Sequence, residues 1–182
     1  MAELSLVAQE HDTNAMKGGR QRASREQRRQ QTLRDITEFR ERMQRLAENL
    51  TTWLEGSKVS ITVREMVPVE SAGAYTIPGI VLHSGRNWAG FTPQALYSVK
   101  GGIQLKGEVC LAVDNSRCRP RTEKYMLCMP EHLLSTADWA IHGVGCTPGQ
   151  GKVLTRELLL TAIAPLFDGA AGACGHSGER KQ

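Results

Sequence analysis

Apolar and polar positions recur along this chain with two different periods, and the change between them divides it. Ile36, Phe39, Met43, Leu46, Leu50 and Trp53 follow one another at spacings of 3, 4, 3, 4 and 3. Residues three and four apart share a helix face, so the pattern predicts a helix with a heptad-like seam, flanked by Leu33 and Leu54. Ser24 followed by Gln27 has the form of a capping box, which satisfies two orphan amides at a helix start. Gly56 supplies the stop, because glycine reaches a left-handed φ without a Cβ clash. The expected helix covers residues 24–55.

The period then becomes two. Val59, Ile61 and Val63 alternate with Ser60, Thr62 and Arg64, as in a half-buried strand. Residues 75–82 predict a second strand, with Pro78 suggesting an edge or an end. Residues 88–91 predict a third, ended by Pro93, and residues 96–99 begin another. Gly101 and Gly102 interrupt before Ile103 and Leu105 resume. Val109, Leu111 and Val113 alternate cleanly, residues 114–121 form a turn-rich loop, and residues 125–129 return as the partner strand. Near the end, residues 131–137 predict a short helix and residues 139–141 a last strand. Residues 155–167 predict an amphipathic helix capped by Thr155, its last turn disturbed by Pro165. The fold class is therefore α+β: a long N-terminal helix, a mostly antiparallel sheet of five to seven strands, and a C-terminal helix packed on the sheet. Residues 1–23 are polar and aperiodic and predict a disordered arm; residues 169–182 predict a disordered tail. The single domain is expected over residues 24–168.

The seam has two readings. Over about three heptads it can pair with a second copy, making a homodimer through the N-terminal helix, with Ile36, Phe39, Met43, Leu46, Leu50 and Trp53 as the interface. It can instead cover the apolar face of the sheet. The second is preferred, because a one-faced antiparallel sheet needs a cover and the chain has few helices to provide it.

Charge adds what periodicity does not. Lys17, Arg20, Arg22, Arg25, Arg28, Arg29 and Arg34 face a single acid, Glu26, within residues 17–34, a net +6 where the whole 182-residue chain carries +4. A cationic stretch on a nearly neutral body can act on something outside the fold. It can hold a protein partner, or clamp phosphates on nucleic acid through counterion release. It has no apolar residues to embed, which argues against a membrane surface. No apolar run approaches the roughly 20 residues that span a bilayer. The first residues hold acids and no basic run before an apolar stretch, unlike a secretory signal. Five cysteines at irregular spacing point to reduced thiols and a cytoplasmic location.

Candidate chemistry is thin. The stretch from Gly145 to Lys152 invites comparison with a phosphate-binding loop. Yet Gly145 lies one residue too far from Gly151, and Val153 stands where a hydroxyl is needed. Cys110, Cys118 and Cys128 lack the compact pairing of a zinc site, so no metal and no cofactor is expected. His142 and Cys146 form the one local pair that offers a nucleophile beside a base.

One resemblance can be stated. The helix ending in Trp53-Leu54 leads to a strand and then to Gly73-Ala-Tyr75-Thr-Ile-Pro78-Gly-Ile80. Pro93, the run from Val99 to Gly107, Trp139 and Leu154-Thr-Arg-Glu157 follow. This order resembles a loose group of uncharacterised bacterial proteins with a leading helix and a small sheet, over about residues 40–167. The resemblance implies a bacterial helix-plus-sheet fold and no activity. The expected function is that of a small non-enzymatic binding or accessory protein. It would engage a larger partner or assembly through its basic arm and long helix. Nucleic-acid binding by the arginine-rich stretch is one alternative, and a small enzyme with a site near His142 and Cys146 another.

Overall fold

The computed structural model describes residues 3–71, 74–114, 121–129, 139–146 and 151–167, and of residues 3–21 and 23 it describes the backbone alone. Contacts divide the chain into a first unit, Met1–Glu38, and a second, Phe39–Gln182. The expected helix over residues 131–137, most of the turn-rich loop and the expected tail lie outside the described residues.

A single helix, α1, runs Glu3–Trp53. It is longer than the periodicity predicts. Residues 3–16 are mostly good helix formers, so the helix continues through the stretch expected to be a disordered arm, and Ser24 is an interior position, not a cap. The stop is where the sequence puts it. Gly56 takes φ +77°, and the Ser57 amide and hydroxyl both donate to the freed Leu54 carbonyl, at 3.0 and 2.6 Å.

In the second unit, seven strands form one antiparallel sheet in sequence order: β1 (Ser60–Met66), β2 (Ile77–Ser84), β3 (Asn87–Lys100), β4 (Ile103–Asp114), β5 (Thr122–Met129), β6 (Ala140–Gly143) and β7 (Lys152–Val153). Pro78 marks an end and not an edge, since the pairing of β2 with β3 begins only at Ile80. It lies second in β2, between β1 and β3, paired with Glu65. Pro93 does not end a strand. β3 carries it at a register shift between Pro93 and Ala95, where the irregularity removes the demand for an amide donor. The segments expected separately at 88–91 and 96–99 are thus one strand. Gly101 and Gly102, at φ +58° and +78°, make the tight turn into β4.

Directly paired residues share a face. Ile80, Phe91 and Leu111 lie in one row, and Leu82, Ala89 and Val113 in the next. Pro93, Val109, Leu127 and Ile141 make a third. These residues are buried. Their cover includes the seam: Phe39, Met43 and Leu50 have no exposed surface, Leu46 almost none, and the Phe39 ring meets Trp139 edge-on at 6.0 Å. Phe39, Met43, Leu46 and Leu50 are therefore core of this unit, whereas Trp53 is half-buried.

The C-terminal cover is α2 (Arg156–Ala162) followed by a 3-10 turn, Ala164–Leu166. Thr155 caps α2, its Oγ1 accepting from the Leu158 amide at 3.2 Å. Pro165 shortens the α-helix as expected, and the turn it enters receives the Asn87 side-chain amide on the Pro165 carbonyl at 3.1 Å. On the opposite face a smaller cluster forms around Leu105, Cys128 and Ala140. There Glu108, also buried, accepts from Ser98 Oγ at 2.7 Å and pairs with Lys100. At the β1 edge, Arg40 grips Glu65 with both terminal nitrogens, at 2.8 and 2.9 Å, and donates to the Thr76 carbonyl at 2.5 Å.

Candidate functional site

Two places carry the residues singled out by the sequence. The first is the cationic stretch of α1. Lys17 and Arg20 lie on the helix with their side chains outside the described residues. Arg22, Arg25, Arg28, Arg29 and Arg34 are exposed. The ion pairs of the described residues engage none of these five guanidinium groups. The lone acid, Glu26, instead accepts from the Gln30 side chain at 3.3 Å. At 100° per residue, Arg22, Arg25, Arg28 and Arg29 fall within an arc of about 120° and a rise of about 10 Å. Leu33, four residues beyond Arg29, continues that face and is 55% exposed. The helix thus presents a row of charges ending in an uncovered leucine.

Of the seam, Ile36 and Trp53 are half-buried, while Phe39, Met43, Leu46 and Leu50 are buried. The sequence pattern alone could not tell these apart from interface residues, since a core stripe and a coiled-coil seam share a period.

The second place is a pocket of about 280 Å³ between β5, β6, β7 and α2. Its lining includes Tyr125, Ile141, Gly143, Lys152, Leu158 and Ala162, together with His142, Cys146 and Thr161. Register explains the grouping. Tyr125 pairs with Gly143, and Ile141 with Lys152, so all four face α2. Gly143 contributes no side chain, and Cys146 Sγ lies 3.6 Å from where its Cβ would be. The Cys146 amide donates to the Gly143 carbonyl at 3.2 Å, closing the turn that carries the thiol back over the strand.

The pocket lining includes both His142 and Cys146. Alternation along β6 sends the His142 side chain to the face opposite Gly143, whereas the thiol lies over Gly143. The imidazole is buried, and its Nδ1 lies 3.1 Å from the Gly143 carbonyl. No carboxylate belongs to the described lining. Burial, and with it the Glu123 carboxylate that accepts from the Tyr125 hydroxyl at 3.1 Å, pushes the Tyr125 phenol up. Burial also pushes the thiols of Cys110 and Cys128 up, which disfavours their thiolate forms. Among the described residues no group of three His, Cys, Asp or Glu side chains could hold a metal ion, and no helix is long and apolar enough to cross a membrane.

Sequence reading found His142 and Cys146 but missed the rest of the pocket. Tyr125, Lys152 and Leu158 are brought together by β7, a two-residue strand too short to show any alternation. No family model, curated protein or solved structure matches the chain.

Proposed function

We propose that this chain is a small, non-enzymatic, cytoplasmic binding or accessory protein that engages an acidic protein partner through the first unit of α1. The observation that carries this reading is the row of exposed guanidinium groups, Arg22, Arg25, Arg28 and Arg29, paired with no carboxylate among the described residues, and the exposed Leu33 on the same face. Guanidinium forks pair with carboxylates in two-point hydrogen bonds, and an apolar residue at the end of the row adds desolvated contact. A nucleic-acid backbone would use the charges and leave Leu33 idle.

The test places a photo-crosslinking residue at position 29, with position 48 on the second unit as control, in cells that express the chain from its own gene. The reading expects a protein adduct at 29 that is absent at 48. The adduct should be lost in the variant R22Q/R25Q/R28Q/R29Q and weakened in L33A. Anisotropy with duplex DNA, single-stranded DNA and RNA runs beside it. Four phosphate contacts would make affinity fall about 150-fold between 50 and 200 mM salt. Such a fall, with L33A binding as wild type, would replace the protein partner by nucleic acid.

A further inference from the structure

Independently of the cationic helix, we propose that the pocket between β5, β6, β7 and α2 binds a small apolar carboxylate, its hydrocarbon between Ile141, Leu158 and Ala162 and its charge at Lys152.

Size, lining and charge each narrow the occupant. A dry cavity of about 150 Å³ accepts benzene, so one of 280 Å³ suits a ligand of about eleven heavy atoms. The walls are largely hydrocarbon. Ile141 comes from the strand, Leu158 and Ala162 from the helix, and the Thr161 hydroxyl is already spent on the Glu157 carbonyl at 2.8 Å. The floor is bare at Gly143, a strand position where a side chain would ordinarily stand between sheet and helix. The Cys146 thiol is the neighbour that an added Cβ there would meet, at 3.6 Å.

The two ends differ in charge. Lys152 lies opposite Ile141 on β6, and Tyr125 lies opposite Gly143 from the other side. Strand spacing and rise put their Cα atoms about 12 Å apart. The Glu123 carboxylate is held by Tyr125, at the far end from Lys152. An anion seated by Lys152 therefore meets the cation and avoids the acid, while an ammonium ligand would meet the reverse. Lys152 is exposed, which places the ligand's carboxylate at the mouth and its chain inside.

Gly143 offers a clean test. Its φ is not left-handed, and an added Cβ meets only Cys146 Sγ, at an ordinary 3.6 Å. Gly143→Val should therefore fold, since a β-branched residue suits a strand, while its methyl groups fill the floor. The probes are octanoate, octanol and octylamine, followed by calorimetry and by amide chemical shifts. We expect octanoate to bind and to move the amides of Ile141, Gly143 and Leu158. Octylamine should bind at least tenfold more weakly. Lys152→Met should weaken octanoate about three- to tenfold and leave octanol unchanged. G143V should unfold no more easily than wild type and lose octanoate binding by tenfold or more. No saturable binding of octanoate would overturn the proposal. So would equal binding of octanoate and octylamine, or octanoate binding by a folded G143V as by wild type.

Discussion

Replacing Phe39 with alanine separates a seam that covers the sheet from a seam that joins two copies. Phe39 has no exposed surface, and its ring meets Trp139 at 6.0 Å and 61°. Truncating a buried phenylalanine costs about 3–5 kcal/mol through lost transfer energy and the cavity left behind. The edge-to-face pair with Trp139 accounts for about 0.5–1.5 kcal/mol of such an effect. Alanine returns about 0.5 kcal/mol through its better helix propensity. A net loss of about 3 kcal/mol follows. With a urea dependence of about 2 kcal/mol per molar, the midpoint should fall by about 1.5 M. Leu33→Ala on the same helix is the control. Leu33 is 55% exposed, and its truncation should cost under about 0.5 kcal/mol.

The assay is urea unfolding followed by tryptophan fluorescence, which Trp139 reports directly, at two protein concentrations tenfold apart. The midpoints should not depend on concentration, because Phe39, Met43, Leu46 and Leu50 are buried within one chain. A paired seam predicts otherwise. Leu33→Ala would then cost nearly as much as Phe39→Ala, and both midpoints would rise with concentration. That result, or a Phe39→Ala cost under about 1 kcal/mol, would refute the core assignment.

Other consequences follow from single residues. Gly107 takes φ +59° at the irregular register between Lys106 and Val109, and an added Cβ would come within 2.6 Å of the Met129 side chain; Gly107→Ala should cost about 1–3 kcal/mol by thermal unfolding, and a neutral result would show that Met129 moves freely. Thr155→Ala removes the acceptor for the Leu158 amide and should cost about 1 kcal/mol, with faster amide exchange confined to Arg156–Ala162. The two-point bond from Arg40 holds the Glu65 carboxyl below its ordinary 4.5. Its contribution is therefore complete above that value and is lost as pH falls through the lower folded one. Both side chains are substantially exposed, so the pair is worth about 1 kcal/mol or less. Arg40→Met should flatten that acid limb in urea titrations at pH 3–6 (about 0.5–1 kcal/mol), and an unchanged limb would remove the assignment. Among the described thiols, exposed Cys146 should alkylate first, with Cys110 and Cys128 far slower until the protein unfolds.

Much of the fold was legible because the two periods are strong signals. The 3-4 spacing located the seam, Gly56 its end, and alternation most of the strands. The misreadings share a cause: each took a local stop signal at face value. Ser24 and Gln27 look like a cap, but good helix formers on both sides carry α1 through them. Pro93 looks like the end of a strand, but a shift of register lets β3 continue to Lys100. A breaker acts only where the backbone has no alternative partner, and sequence does not show the alternatives. The pocket was illegible for a different reason. It depends on a two-residue strand and on a glycine that contributes an absence, and neither leaves a periodic trace.

The division of α1 has a consequence for how function and stability can be separated. Before Phe39 the described side chains are exposed or half-buried, apart from Asp35, whose carboxylate accepts from Gln31 at 3.0 Å. From Phe39 to Leu50 the seam is core. Four exposed arginines on the first stretch repel one another along a rise of about 10 Å, offset only in part by Glu26 among the described residues. Neutralising them should therefore leave stability unchanged or raise it slightly, the reverse of what removing a structural ion pair does. R22Q/R25Q/R28Q/R29Q measures this directly. Helix content and urea midpoint at or above wild type place the charges in recognition. A drop of more than about 1 kcal/mol would place them in the fold itself.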